Sequence, residues 1–246
     1  MINITREKEV PKSLDTPEIQ DYIQKAIAYK KDPKNKEKPT PPSSYRNSDL
    51  LDAFDRCFYA KCYLTEEKFI NSYTMDVEHF IPKSEAPELR YEWTNLFPAE
   101  HNANMSKPNK TPEGGYLNPC DPADDVEKQI IYTLSALGER PFFDPIDKNN
   151  LKEVNTTELL DRLHNGHDEN SIRKTADLRN AIQKKYINLY QLIAEYGLES
   201  ISLQRKTQIK NELKGLLSRR ASFTMLCRSI PAVIQLNKEL SNELFD

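Results

Sequence analysis

Cysteine is scarce in this chain and never falls in a metal-binding spacing: Cys57, Cys62, Cys120 and Cys227 are the only four, and none is part of a CxxC pair. Their spacings outline no disulfide framework, which argues against a small stapled secreted scaffold. Excess charge of one sign is missing too, since 35 basic against 38 acidic side chains leave a net charge of −3. That excludes a globally basic nucleic-acid protein and leaves only local basic surface. The opening "MINITREKEVPKSL" carries no apolar export run. No stretch approaches the roughly 20 apolar residues of a membrane span. There is no GxxxxGK[ST] loop, so any ATP must be bound by another chain. No internal repeat is visible. Together these absences predict a soluble, intracellular protein with reduced thiols and no membrane contact.

What is present is enough to build a core: 246 residues, of which 37% are apolar. Three stretches differ in character. Residues 1–44 hold a helix, "DTPEIQDYIQKAIAYKK", with Thr16 or Asp15 as cap and Pro17 in its first turn, followed by a basic Pro/Lys/Ser loop from Lys30 to Ser44. Residues 45–122 begin with a helix at "SDLLDAFDRCFYA" and then become irregular, with polar residues, Pro and aromatics clustered together. Residues 123–246 open on a predicted hairpin around Gly138, "QIIYTLSALGERPFFDPI". From about Thr156 they are helical, with Ile182, Tyr186, Leu189, Ile193 and Tyr196 at helical spacing and Gly197 as a cap. Residues 111–170 carry a net −8 and residues 171–230 a net +8. The second block is either a nucleic-acid face or a surface balancing its acidic neighbour.

The chemistry concentrates in "TMDVEHFIPKS", "YEWTNLFPAEH" and "HNANMSK". "TMDVEHF" alternates like a strand, with Met75, Val77 and His79 on one side and Asp76 and Glu78 on the other. "NLFP" reads as a returning strand and "AEHNANMSK" as a short helix. Phosphodiester hydrolysis needs a base, a cation and oxygen ligands for it. His79 suits the base, since an ordinary imidazole is largely neutral at working pH. Glu78 and the Asn104 carbonyl are hard donors for Mg²⁺, with Mn²⁺ as the alternative. Asn95 could orient His79, and Lys107 or Lys83 could meet a phosphate. Lys83 and Ser84 otherwise merely close the turn after Pro82. Asp76 is an outer-shell group or a surface acid, and His101 a ligand or a helix cap. His164 and His167 have metal-like spacing but read as structural residues of a polar turn at Gly166.

This pattern resembles the ββα-metal motif of the HNH endonucleases. The likeness implies His79 as general base, Glu78 and Asn104 as metal ligands, and Asn95 as the Asn that braces loop and base. It implies an α+β fold in which a ββα-metal (HNH/His-Me finger) core sits in a largely helical protein. The order "YRNSDLLDAFDRCFYAKCYLTEE", "VEHFIPKS", "YEWTNLFPAEHNANMSK", "YLNPCDP" is similar, more narrowly, to the HNH subunits of Septu-type antiphage systems and their retron-associated versions. That branch implies an ABC-type ATPase partner (PtuA-like), a DNA or tRNA substrate, and, in the retron versions, a reverse transcriptase with its non-coding nucleic acid. Many members carry two CxxC pairs; here the corresponding positions are Cys62 with Thr65 and Glu100 with Ala103. One thiolate of four cannot make a tetrahedral thiolate site, so structural zinc is not expected and packing of Tyr63, Phe80, Trp93 and Phe97 must substitute. A hybrid site of Cys62, His101 and Cys120 stays open, while Cys57 and Cys227 read as buried thiols. The competing function class is a non-catalytic nucleic-acid-binding or partner-docking module that uses the basic helices between Arg173 and Arg228.

Overall fold

The computed structural model describes residues 1–42, 45–134 and 136–246. Ser43 and Ser44, at the end of the basic loop, and Ser135, in the predicted hairpin, lie outside the described residues. The fold is mixed α+β, with two small antiparallel sheets among helices.

Helix α1 (Pro17–Lys31) starts where the Thr16 hydroxyl accepts the Ile19 N–H, and it buries Ile19, Tyr22 and Ala26. Helix α2 (Ser48–Phe58) buries Leu50, Leu51, Ala53, Phe54, Cys57 and Phe58, a face wide enough to seat a sheet. It ends as Tyr59 and Ala60 turn left-handed, with φ of 60° and 56°. Strands β1 (Asp76–His79) and β2 (Leu96–Ala99) pair antiparallel, with Glu78 opposite Phe97 and His79 opposite Leu96. Helix α3 (His101–Ser106) follows at once, its first amides capped by the Glu100 carboxylate. The cap is therefore Glu100 rather than His101.

A two-stranded ribbon is marginal on its own. This one is fixed through Phe97, whose ring lies 4.6 Å from Tyr63, 5.4 Å from Phe80 and 5.7 Å from Phe58. Trp93 stacks on Phe54 at 5.6 Å. The sequence reading missed a cation in this cluster. The Arg6 guanidinium sits 4.2 Å from the Phe97 centroid, 4.5 Å from Trp93 and 5.0 Å from Phe58, and donates to the carbonyls of Trp93 and Leu96.

Strands β3 (Ile130–Thr133) and β4 (Phe142–Pro145) form the second ribbon, with Gly138 left-handed at φ +84° between them. The helices that follow are α4 (Leu151–Asn165), α5 (Glu169–Lys174), α6 (Ala176–Tyr196), α7 (Leu203–Leu217), α8 (Thr224–Arg228) and α9 (Pro231–Glu239). Helix α4 begins earlier than Thr156 because Asn150 caps it. Gly197 does end α6, but at φ −75°, so the left-handed cap is not formed.

One hydrophobic core runs through all three stretches of the sequence. The first residues are threaded between the others: Ile4 N–H donates to the Pro119 carbonyl, and Arg219 reaches both Asn3 and Glu127. Much of the basic block is engaged within the chain. Arg205 pairs with Glu195 and Glu212, Lys210 and Lys214 with Glu243, Arg219 with Glu127, and Arg228 with Asp246. A continuous nucleic-acid face on these helices is weakened accordingly.

Candidate active site

Strand alternation places Val77 and His79 on the buried side of β1 and leaves Asp76 and Glu78 half-buried on the other. His79 Nε2 lies 2.9 Å from the Arg90 carbonyl oxygen. A carbonyl can only accept, so Nε2 carries the proton and Nδ1 keeps the lone pair. The Tyr45 ring meets the imidazole edge-on, with centroids 5.0 Å apart. Burial is the main influence on this ring and pushes its pKa down to about 4; the bond to Arg90 opposes that, and the nearby charges of Lys83, Arg90 and Lys107 add to it. His79 is thus neutral at neutral pH, with its basic nitrogen defined.

Asn95 makes no hydrogen bond to His79. Its buried amide accepts the Ile81 N–H at 2.8 Å and donates to the carbonyls of Ile81 and Leu89 at 3.1 and 3.2 Å. It staples both ends of the loop between the strands, and the residue after Leu89 is Arg90, whose carbonyl holds His79. The orientation expected of Asn95 is therefore exerted at one remove, through the loop.

Lys107 lies one turn beyond Asn104, as expected, but its head group is engaged within the chain. The ammonium is buried and donates to Glu78 Oε1 at 2.6 Å, the His79 carbonyl at 3.0 Å and the Phe80 carbonyl at 2.9 Å. Those bonds engage all three of its protons, so in this arrangement it ties α3 to β1 and has none left for a phosphate. Lys83, by contrast, is exposed on the rim of a cleft of about 460 Å³ whose lining includes His79, Glu78 and Asn104. Ser84 is a turn residue, 3.5 Å from the Asn109 carbonyl.

Asn104 approaches Asp76, not Glu78. Its Nδ2 lies 2.9 Å from Asp76 Oδ2, and His101 Nδ1 lies 2.9 Å from the same oxygen. His101 and Asn104 are three residues apart on α3 and so share a face toward β1. The structure gathers Asp76, His101 and Asn104 at one point and leaves Glu78 with Lys107. The +3 spacing of His101 and Asn104 was the signal available in the sequence.

The thiols do not converge. Cys62 is buried, its sulfur 3.5 Å from the Thr65 N–H, and burial raises its pKa. Cys120 lies beside Arg6, pushed up to about 11 mainly by burial, while His101 is engaged with Asp76. The hybrid set of Cys62, His101 and Cys120 is therefore not assembled. Among the described residues, no group of three or more His, Cys, Asp or Glu could hold a metal ion. His164 lies in the last turn of α4 rather than in the polar turn. It is buried 4.7 Å from the Phe143 ring with Nδ1 2.8 Å from the Leu160 carbonyl, whereas His167 is exposed beside Asp168. His164 is thus part of the scaffold, and His167 lies at the surface. No helix among the described residues is long and apolar enough to cross a membrane.

Comparison with known proteins gives a partial likeness. The chain is 42% identical over 53 residues to the Septu protein PtuB of Bacillus thuringiensis, a stretch that makes up 22% of this chain and 19% of that protein. It thus spans about a fifth of the length of the curated relative it matches. No family model matches, and no solved structure matches.

Proposed function

We propose that this chain is a metal-dependent HNH-type nuclease subunit of an antiphage defence complex, hydrolysing phosphodiester bonds in DNA or tRNA. The observation that carries this reading is the His79 imidazole. Its Nε2–H is fixed on the Arg90 carbonyl, and the ring lines a cleft shared with Lys83 and Asn104. The partial likeness to Septu PtuB supports the defence setting, and a cytoplasmic location belongs to the same reading.

In this reading Nδ1 of His79 takes the proton of the attacking water, while Arg90 and Tyr45 keep the ring from turning. Lys83, exposed at the rim, draws the substrate phosphate toward the base. Asn95 and Lys107 hold the loop and α3 against β1 so that these groups keep their spacing. Glu78 and Asn104, both on the lining of this cleft, offer a carboxylate and an amide oxygen, hard donors that suit a divalent cation. The resemblance assigns this role to Glu78 and Asn104. Bound there, Mg²⁺ or Mn²⁺ would supply charge stabilisation at the leaving oxygen.

An ABC-type ATPase subunit (PtuA-like) would provide the nucleotide binding for which this chain has no loop motif. A retron reverse transcriptase with its non-coding nucleic acid is a further partner in the retron-associated setting. The test is to purify the chain with its ATPase partner and to incubate wild type and His79→Ala with duplex DNA and with tRNA. Cleavage by wild type alone is expected, and sequencing the products identifies the substrate. Equal cleavage by both proteins would remove His79 from the chemistry.

A further inference from the structure

We propose that the Arg90 guanidinium holds a phosphate of the substrate backbone, the neighbour of the one attacked beside His79. This rests on the nucleic-acid-cleaving reading above and adds to it a substrate contact outside the base and the cation ligands.

The first ground is that this cation has no anion of its own. Among the described residues its guanidinium makes no hydrogen bond and no ion pair, and its Nε is buried without a partner. The two terminal nitrogens, also unpaired, are not buried and so keep access to water. The carboxylates two residues to either side are engaged elsewhere, Glu88 with the Lys30 ammonium at 2.5 Å and Glu92 with Thr94. By contrast, Arg6 and Arg46 donate to backbone carbonyls, and Arg205 and Arg219 to carboxylates. A guanidinium cannot shed its proton when part of it is desolvated, so a half-buried one without a counter-ion costs stability until a ligand supplies the charge.

The second ground is its place. Arg90 Cζ lies 5.4 Å from the Tyr45 ring centroid and 5.9 Å from that of Tyr91, within cation–π reach. An arginine held by its face keeps its in-plane N–H groups for a phosphate. Tyr45 lines the cleft of His79, and its ring stands 5.0 Å from the imidazole. The guanidinium is thus one aromatic ring removed from the base, and its charge adds to the lowering of the His79 pKa. Successive phosphates of one strand are about 3.4 Å apart along a duplex axis, so a cation one ring away meets a neighbour of the attacked phosphate. Lys83, on the rim of the cleft, remains the contact for the attacked one.

The third ground is that Arg90 serves the base with its other end. Its carbonyl accepts the His79 Nε2 proton at 2.9 Å, and Asn95 holds the preceding carbonyl of Leu89. A strand gripped by the side chain is therefore placed by the same residue that orients the imidazole. The two contacts are separable, because a substitution at position 90 removes the guanidinium and keeps the carbonyl.

The experiment is fluorescence anisotropy of the full chain with its ATPase partner on a labelled DNA duplex and on labelled tRNA, from about 50 to 200 mM NaCl. His79→Ala is carried in every sample so that neither probe is cut. Arg90→Gln should weaken binding about 10-fold and lower the slope of log K against log salt by about 1. Arg90→Lys should restore the slope and only part of the affinity, since it keeps the charge without the fork. Circular dichroism checks folding, and Arg90→Met, whose apolar stem stays on the tyrosine rings, replaces Arg90→Gln where that variant unfolds. With His79 restored, the neutral variant should raise KM about 10-fold and hold kcat within about 3-fold of wild type. A salt slope unchanged by the neutral variants would overturn the contact and leave the nuclease reading intact. A kcat that falls as far as kcat/KM would overturn the neighbouring position and put Arg90 on the attacked phosphate. A slope lowered as expected, without cleavage when His79 is restored, would uphold the contact and overturn the nuclease reading. Binding of neither probe would overturn both.

Discussion

Lys107 and Glu78 form a buried ion pair, 2.6 Å between Nζ and Oε1, that joins the end of α3 to the middle of β1. Because the same ammonium also takes the carbonyls of His79 and Phe80, one side chain sets the distance between His79 and the helix carrying Asn104. Lys107→Met should therefore act on stability first. It leaves a carboxylate without its cation and two carbonyls without a donor. Glu78 keeps some contact with water, its side chain being 13% exposed, so a loss of about 3 kcal/mol, the lower end for a broken buried pair, is expected in chemical denaturation. If Lys107 faced phosphate instead, the same change would leave the denaturation midpoint in place and weaken nucleic-acid binding.

Asn95→Ala should be costly for a different reason. Three backbone groups, the N–H and carbonyl of Ile81 and the carbonyl of Leu89, depend on one amide. An orphaned buried polar group costs about 1–3 kcal/mol, and water entering the vacated space would satisfy some of them, so a total of about 3 kcal/mol is expected. Cleavage should fall as well, since the Leu89–Arg90 segment then ceases to hold the His79 ring. Asn95→Asp keeps the acceptor but sets a buried, acceptor-only carboxylate against the carbonyl oxygens of Ile81 and Leu89, so it should melt no higher than Asn95→Ala.

These residues show what a sequence can and cannot reveal. The strand–strand–helix order was legible because "TMDVEHF" alternates with period two and "NLFP" and "AEHNANMSK" follow in register. The helices α1, α2, α6 and α7 were legible from their apolar spacing. The roles of Lys107 and Asp76 were not. Both depend on which of two carboxylates, two residues apart on one side of β1, meets which position on α3. Period two makes Asp76 and Glu78 equivalent, and only the packed angle between strand and helix separates them. Arg6 was hidden for a similar reason, since 87 positions separate it from Trp93.

Arg6 leads to a third prediction. This chain packs Phe58, Trp93 and Phe97 together and places a guanidinium among them. Burial alone pulls the pKa of Arg6 below its ordinary value, with Cys120 and other neighbours partly opposing. Arg6→Lys keeps the charge but gives up the planar contact with three rings and the forked donation to Trp93 and Leu96. A loss of about 1.5–3 kcal/mol is expected, that of one charge-assisted hydrogen bond, since the lysine ammonium keeps part of the cation–π attraction. The check is a melting curve alongside Arg6→Met. A lysine variant as stable as wild type would mean that charge alone suffices at this position.

His164 supplies a pH dependence that can be measured away from the candidate active site. Burial is the dominant influence and lowers its pKa from 6.5 to about 4, with the Leu160 carbonyl opposing. Below pH 6.5 the unfolded chain binds a proton at this imidazole while the folded chain does not. Stability therefore rises with pH across this window and is lost as pH falls from about 6.5 toward 4. One group moved this far contributes on the order of 3 kcal/mol between those limits. His164→Phe, which keeps a ring against Phe143, should flatten the slope of unfolding free energy against pH between 6.5 and 4. A slope unchanged by that substitution would mean that the imidazole is already protonated, or is exposed, in the folded protein.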